Sequence, residues 1–261
     1  MTIIEALLLG LVQGLTEFFP ISSSTHLTLA KTFFGLPTGD ATYFFDLACH
    51  FGTFCATLYL FRQDVLQLLT TRRDKLLQIV LAMIPLIPAY FFLKPLRQSI
   101  HGFAGLGITL MITAFLLFLG EYVRLRQTAS ISLPRRTRDA LCIGSLQALS
   151  LIPGISRSAS TISCARFLGW NNSEAVRFSF LLAIPTVFGG SCLEALHLLK
   201  NSSQSLPISL SCCLIGFVAS ALGAIAIIGP AIRFLEKGRL SPFAWYCLTL
   251  GIVLIFLWYF A

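Results

Sequence analysis

Two short polar clusters interrupt an otherwise apolar chain, and both carry residues that could do chemistry. In the first, Gln13 and Glu17 stand four apart and are followed by Pro20-Ile21-Ser22-Ser23-Ser24-Thr25-His26. Residues four apart on a helix share a face, so the amide and the carboxylate would lie side by side, with Gly10 and Gly14 leaving room next to them. A serine attacks only when a base or a metal activates it, and Glu17 and His26 are both candidates to serve Ser23. Capping a helix would need one hydroxyl, whereas this segment supplies four. The second cluster is Gln147 followed by Pro153-Gly154-Ile155-Ser156-Arg157-Ser158-Ala159-Ser160-Thr161. Arg157 sits there among small side chains, hydroxyls and a Pro-Gly turn, a setting suited to a loop wrapped around an oxyanion. Its planar fork matches such an anion with two hydrogen bonds. The plain alternatives are a Glu17 or Arg157 reaching to water at an interface, a buried Glu17–Arg157 pair, and a structural His26.

The clusters align with each other. Adding 134 maps Gln13 onto Gln147, Leu15 onto Leu149, Ile21 onto Ile155, Ser22 onto Ser156 and Ser24 onto Ser158. A repeated hydroxyl-rich break implies two non-helical loops serving one pocket. Ser22, Ser24, Ser156, Ser158 and Thr161 are then the hydroxyls expected to bind the substrate, with Glu17, Ser23, His26 and Arg157 as the catalytic set.

The elements that must position these residues follow from composition. The 261-residue chain is 56% hydrophobic and 11% charged, against about 25% charged in soluble domains. Its 23 Phe exceed what a soluble core of this length needs. These features indicate a multi-span membrane protein. A carboxylate at membrane depth costs ~2.5–3.5 kcal/mol on insertion scales and marks a functional cavity, which favours a working role for Glu17. The net charge of +8 fits basic loops on the cytoplasmic side and a few cations kept for an anionic ligand. The basic residues do not alternate with aromatics in any polar domain, so nucleic acid is not an expected partner. The eight Cys show no CxxC and no Cys/His metal spacing, and read as small packing residues. Met1-Thr2-Ile3-Ile4-Glu5 has no basic leader, so the N-terminal segment is expected to be retained.

Six stretches, near 43–61, 76–93, 103–123, 174–198, 208–232 and 242–260, have the ~20 apolar residues that a spanning helix needs. Pro85, Pro88, Pro185 and Pro230 lie in or near them and should kink them. The stretches 1–36 and 138–170 differ: each is a short apolar segment, a Pro/Ser break and another short apolar segment. That pattern reads as a re-entrant hairpin, and broken helices at matching places in two halves point to a binding site. The hairpins themselves are expected near 5–34 and 140–170. One side of the membrane collects Arg62, Arg72, Arg73, Lys75, Arg124, Arg126, Arg135, Arg136, Arg138, Arg233, Lys237 and Arg239. The other holds Lys31, Lys94, Arg97 and Lys200, so the first side is cytoplasmic. The expected fold is an all-α integral membrane protein, with six transmembrane helices plus two re-entrant helical hairpins in an inverted-topology repeat. It is one membrane domain, 1–261, whose halves are 1–133 and 134–261. Asp46 and His50, also four apart, stand at the start of the first span, as supporting groups or as ordinary interfacial residues.

Taken together, Gln13-Gly14-Leu15-Thr16-Glu17-Phe18-Phe19-Pro20-Ile21-Ser22-Ser23 with His26, and Pro153-Gly154-Ile155-Ser156-Arg157-Ser158 with Thr161, resemble the bacterial undecaprenyl-diphosphate phosphatases of the bacitracin-resistance type. Phe178 to Pro185 also resembles that family's stretch after the second motif. The family usually has Gly where this chain has Thr25 and Ala159, and more often Glu and Gln where it has Asp46 and His50. The resemblance implies an acid anhydride hydrolase that removes the terminal phosphate of undecaprenyl diphosphate. The products would be undecaprenyl phosphate and inorganic phosphate, recycling the lipid carrier of peptidoglycan synthesis. It also implies a bacterial cytoplasmic membrane location, a site open to the periplasmic side, and undecaprenyl diphosphate and membrane lipid as partners. Gln13 and Glu17 are the expected ligands of a divalent cation, magnesium or calcium, since hard cations prefer oxygen and no thiolate cluster is at hand. Either Ser23 or His26 could be the nucleophile.

Three rival readings remain. A transporter or flippase for a polyprenyl phosphate would share the broken helices but needs no nucleophile. A phosphatidic-acid-type phosphatase would need a second histidine with an acidic partner after its Ser-Arg segment, and none follows Arg157 until His197. A scaffold would leave the buried ionisable groups unexplained.

Overall fold

The computed structural model describes residues 1–38, 42–100, 102–126, 137–200 and 208–260. Arg135 and Arg136 lie outside these residues, and the side chains of His197 and Lys200 are likewise not described. The described elements are all helical: α1 (Ile3–Thr16), α2 (Ser23–Phe33), α3 (Tyr43–Leu60), α4 (Arg62–Thr70), α5 (Arg73–Met83), α6 (Leu86–Phe92), α7 (Lys94–Ser99), α8 (Gly102–Arg126), α9 (Thr137–Gln147), α10 (Arg157–Phe167), α11 (Asn172–Lys200), α12 (Leu210–Glu236) and α13 (Ser241–Phe260). A 3-10 turn, Ala148–Leu151, follows α9.

Among the described residues five segments are long and apolar enough to cross a bilayer, namely Arg73–Phe92, Gly102–Arg126, Asn172–Leu196, Leu210–Glu236 and Ser241–Phe260. Tyr43–Leu60 with Arg62–Thr70 makes a sixth if that pair is one span, although the chain bends there by 68°. The stretch expected as a first span ending near 61 therefore continues as a helix beyond a sharp bend. Arg73–Phe92 is interrupted where Pro85, which lacks an N–H and crowds the preceding turn, separates α5 from α6. Pro185 and Pro230 are instead carried inside α11 and α12. Large apolar side chains on these helices stay uncovered, among them Phe92 at 83% and Tyr259 at 75% exposure. In water such a surface would aggregate, whereas in lipid it is the solvated face. The chain is a multi-pass membrane protein.

The short hairpins keep the offset seen in the sequence. α1 begins at Ile3 and α9 at Thr137, and α2 (Ser23–Phe33) corresponds end to end with α10 (Arg157–Phe167), each shifted by 134. α1 starts with a capping box in which Thr2 Oγ1 accepts from the Glu5 N–H at 3.3 Å and Glu5 Oε2 from the Thr2 N–H at 2.7 Å.

Contacts divide the chain into two units. One comprises Met1–Phe18, Ser23–Leu66 and Ala183–Pro230. Within it α1 lies close on α12: a Cβ added at Gly10 would come within 2.6 Å of the Gly216 carbonyl oxygen. Ser220 Oγ of α12 donates to the Cys49 carbonyl of α3 at 2.8 Å, and Ala6, Leu9, Leu27, Phe45, Cys49 and Cys212 fill the core. The other unit comprises Phe19–Ser22, Gln67–Leu182 and Ala231–Ala261. There α8 packs on α10 and α13, and α5 on α9. At Gly144, the counterpart of Gly10, α9 meets the backbone of Ala82 too closely for any side chain. Ile79, Ala82, Ile143, Ala165, Trp170 and Phe178 form part of the core of this unit.

Candidate active site

In the first unit the end of α1 carries a compact polar network. Gln13 is fully buried, and its Nε2 donates to Glu17 Oε2 at 2.9 Å, the i, i+4 contact foreseen from the spacing. The same Nε2 lies 2.9 Å from His50 Nδ1 on α3. An amide nitrogen has two hydrogens and no lone pair to offer, so Nδ1 is the acceptor and the neutral imidazole carries its proton on Nε2. Ser23, the first residue of α2, donates its hydroxyl to Glu17 Oε2 at 2.7 Å. A hydroxyl hydrogen-bonded to a carboxylate is the geometry of a nucleophile with its base. The Glu17 side chain is only 7% exposed, so little water competes for it. His26 follows on the first turn of α2 and is partly buried, Ser24 is exposed, and Thr25 is buried.

Lys31 and Asp46 form a second charged pair in this unit. Lys31 Nζ lies 2.5 Å from both Asp46 oxygens and donates to Thr42 Oγ1 at 3.0 Å. Lys31 is 3% exposed, so it is a buried ion-pair partner tying α2 to α3 and not the outer-face surface charge expected from the loop count. Asp46 therefore supports the helix pair, while His50, one turn on, joins the Glu17 network.

In the second unit, hydroxyls hold the loop before α10. The Ser156 N–H donates to Thr113 Oγ1 of α8 at 3.1 Å, and Thr113 Oγ1 donates to the Gly154 carbonyl at 3.1 Å. Ser156 Oγ caps the helix by accepting from the Ala159 N–H at 3.3 Å. Gly154 takes a φ of +93°, and any side chain there would collide with Thr109 Oγ1. Ser158 Oγ donates to the Phe19 carbonyl at 3.1 Å, within the segment Phe19–Ser22 that belongs to this unit. The Phe19 ring packs 5.3 Å from that of Phe243. Ser22 in that segment is buried and has a φ of +67°, the one described non-glycine residue with positive φ. Thr161 Oγ1 and Ser179 Oγ share a 2.6 Å hydrogen bond, and Arg157 NH1 reaches the Ser179 carbonyl at 3.4 Å. Arg157 keeps part of its surface open, whereas every residue from Ser158 to Arg166 is buried.

The chain that carries these residues matches a known family. Residues 6–253 match the family described as Bacitracin resistance protein BacA. The chain is a member of that family. Among its relatives is the undecaprenyl-diphosphatase of Protochlamydia amoebophila, 44% identical over 253 residues, or 97% of each chain. The undecaprenyl-diphosphatase of Trichlorobacter lovleyi is 38% identical over 271 residues, covering 97% of this chain and 96% of its own. That of Bacteroides thetaiotaomicron is 33% identical over 266 residues, 98% of each. None of these relatives lends support to the transporter or flippase reading.

Of the residues expected at the site in this BacA-family chain, the structure joins Gln13, Glu17 and Ser23 in one network and Ser156, Ser158 and Thr161 in the hydrogen bonding around Arg157. Sequence reasoning left His50 undecided and misread Lys31; Ser179 entered it only within a matched stretch. The one available signal was an ionisable or hydroxyl residue inside an otherwise apolar helix.

A divalent cation fits the first network in one respect that can be read directly: Gln13 Oε1 is buried and has no hydrogen-bond partner. Among the described residues no group of three His, Cys, Asp or Glu side chains is placed to hold a metal.

Proposed function

We propose that this chain hydrolyses the terminal phosphate of undecaprenyl diphosphate, releasing undecaprenyl phosphate and inorganic phosphate. The observation that carries the mechanism is the 2.7 Å hydrogen bond from Ser23 Oγ to Glu17. Ser23 Oγ attacks the terminal phosphorus as its proton passes to Glu17, and the bond from that phosphorus to the bridging oxygen breaks. Undecaprenyl phosphate leaves, and water then hydrolyses the phosphoserine to free phosphate. Arg157 holds the equatorial oxygens of the transferring group through its fork, and His26, on the first turn after Ser23, donates to the same phosphate. Ser22, Ser24, Ser156, Ser158 and Thr161 line the path of the diphosphate. Phosphoryl transfer depends mainly on positioning and charge stabilisation, so these fixed donors carry much of the catalysis. A divalent cation held by Gln13 and Glu17, magnesium or calcium, supplies neutralisation of the diphosphate when bound.

The hairpin that bears Ser23 also offers a place for an isoprenyl chain. An open groove of about 590 Å³ is lined by apolar side chains of α1, α2 and the residue that follows α2, including Leu8, Leu11, Leu15, Leu29, Phe33 and Phe34. The reading extends to the architecture: one domain of two inverted halves, 1–133 and 134–261, with six spans, two re-entrant hairpins, and the site open to the periplasmic side of the cytoplasmic membrane. The matching ends of α2 and α10 support it.

The test is phosphate release from undecaprenyl diphosphate by purified protein, with mass analysis of protein trapped during turnover. A phosphate adduct at Ser23 is the expected result. An adduct on His26, with Ser23→Ala still active, would transfer the nucleophile's role to the histidine.

A further inference from the structure

We infer that His50 is a third ligand of the divalent cation, making Gln13, Glu17 and His50 a mixed oxygen–nitrogen site suited to a transition ion such as Mn2+. This inference rests on the proposal that Gln13 and Glu17 hold a cation. It departs from the magnesium or calcium preference by adding a donor those ions do not favour.

The argument is one of spacing. Gln13 Nε2, Glu17 Oε2 and His50 Nδ1 form a triangle with edges of 2.9, 2.9 and 3.8 Å. Adjacent ligands of an octahedral ion with bonds of about 2.1 Å lie roughly 3 Å apart, and no two of its ligands are more than about 4.2 Å apart. All three edges fall inside that limit, and the two short ones match adjacent positions. Only the atom at one corner is of the wrong type. The two ends of a glutamine amide have nearly the same shape, and half a turn about its last bond exchanges Oε1 for Nε2. That turn brings a carbonyl oxygen, now buried without a partner, to the corner shared by the carboxylate and the imidazole.

Two lone-pair donors, Oε2 and Nδ1, share the Gln13 NH2, and Oε2 also accepts from the Ser23 hydroxyl at 2.7 Å. A cation is the stronger partner for the same pair. His50 is 27% exposed and Glu17 7%, which leaves an approach from the side of the imidazole. Imidazole nitrogen suits zinc, copper, iron and nickel, whereas carboxylate, carbonyl and water oxygens suit magnesium, calcium and manganese. Two oxygens and one nitrogen place this donor set between the two groups, and manganese is the transition ion that shares the oxygen preference of magnesium and calcium.

The simpler role for His50 is to accept a hydrogen bond from Gln13 and tie α3 to α1. Pulsed electron paramagnetic resonance of chelator-stripped, purified full-length protein loaded with Mn2+ separates the two. The expected result is one bound Mn2+ coupled to a histidine nitrogen, and the coupling changes when the protein is grown with 15N-histidine. Titration should show Mn2+ binding at least about tenfold tighter than Mg2+. His50→Gln should lose the coupling and about tenfold in Mn2+ affinity, while Mg2+ binding is nearly kept. An oxygen-only Mn2+ signal in the unaltered protein would overturn the role of His50 and leave the Gln13–Glu17 reading standing. Absence of any bound Mn2+, Mg2+ or Ca2+ would overturn both. The decisive spectrum needs no variant, so a poorly folding His50→Gln does not rescue the proposal.

Discussion

Helices α2 and α10 occupy the same places in their hairpins, yet they use their hydroxyls in opposite ways. α2 opens with Ser23, whose hydroxyl meets a carboxylate, and leaves Ser24 exposed. α10 opens with Arg157 at the matching position and is buried throughout from Ser158 to Arg166. Some of its hydroxyls bond within the protein: Ser160 Oγ donates to the Ser156 carbonyl at 3.0 Å, and Thr161 Oγ1 shares a hydrogen bond with Ser179 Oγ. Glu17 has Leu151 as its counterpart at the 134 offset, so the second copy has no carboxylate there. The two copies of the motif thus differ: one sets a serine hydroxyl against a carboxylate, and the other opens with an arginine.

The largest effects should separate the two hairpins by what they damage. Ser23→Ala and Glu17→Gln should each lower phosphate release by at least the ~10²–10³ typical of losing one preorganised group, with thermal stability barely changed. Ser160→Ala, also a serine-to-alanine change in a hydroxyl cluster, should leave release within about twofold. It should cost only the ~0.5–1.5 kcal/mol of one internal hydrogen bond, read from the melting curve. Equal loss of activity in Ser23→Ala and Ser160→Ala would break the comparison.

Two arginines on α10 sharpen it. Arg157→Lys should fail nearly as badly as Arg157→Ala, because an ammonium keeps the charge but not the two-pronged fork. Arg166 is fully buried and donates to the carbonyls of Leu235 and Gly238, closing the end of α12. Arg166→Met should therefore lower stability by ~1–3 kcal/mol, the cost of leaving buried acceptors unmet, without altering KM for the folded fraction. Melting temperature and KM measured on both variants decide the matter.

The sequence showed the elements more readily than the pairs between them. Places of the apolar helices could be read because each needs a long apolar run, and the matched short helices because Pro and Ser break such runs at matching positions. The Gln13–Glu17 contact could be read because it is local. Lys31 with Asp46, and Gln13 with His50, are joined across 15 and 37 residues by the way α2 and α1 pack on α3. No spacing rule reports such a contact, and Lys31 was for that reason read as a surface charge. The 68° bend after Leu60 was equally hidden, since neither Phe61 nor Arg62 is a proline or glycine.

A smaller effect tests the paired glutamines. Gln147, the counterpart of Gln13, is also fully buried, but neither its Nε2 nor its Oε1 has a hydrogen-bond partner. Each such atom costs ~1–3 kcal/mol of lost hydration, so Gln147→Leu should raise thermal stability by about 1 kcal/mol or more. Gln13→Leu should lower it instead, because that change strips a donor from Glu17 and His50. A stability loss in both variants would mean that the second hairpin depends on its glutamine as the first does.

The smallest effect concerns the loop turn itself. Ser22 and Ser156 are matched in sequence, but Ser22 has a φ of +67° and Ser156 one of −74°. A side chain in the left-handed region costs ~1–2 kcal/mol, which glycine would not incur. Glycine also frees the unfolded chain, which takes back ~0.4–1 kcal/mol, so Ser22→Gly should leave stability within about 1 kcal/mol or raise it slightly. Ser156→Gly has no strain to relieve; losing the hydroxyl that caps α10 costs a few tenths of a kcal/mol, and the freed unfolded chain a further ~0.4–1 kcal/mol, so it should destabilise. Strain kept at a position that glycine could fill is the mark of a side chain retained for use. Ser22→Gly should accordingly lower phosphate release several-fold while the protein melts no earlier. Unchanged release together with a higher melting temperature would remove the Ser22 hydroxyl from the diphosphate's path and leave that serine with a backbone role alone.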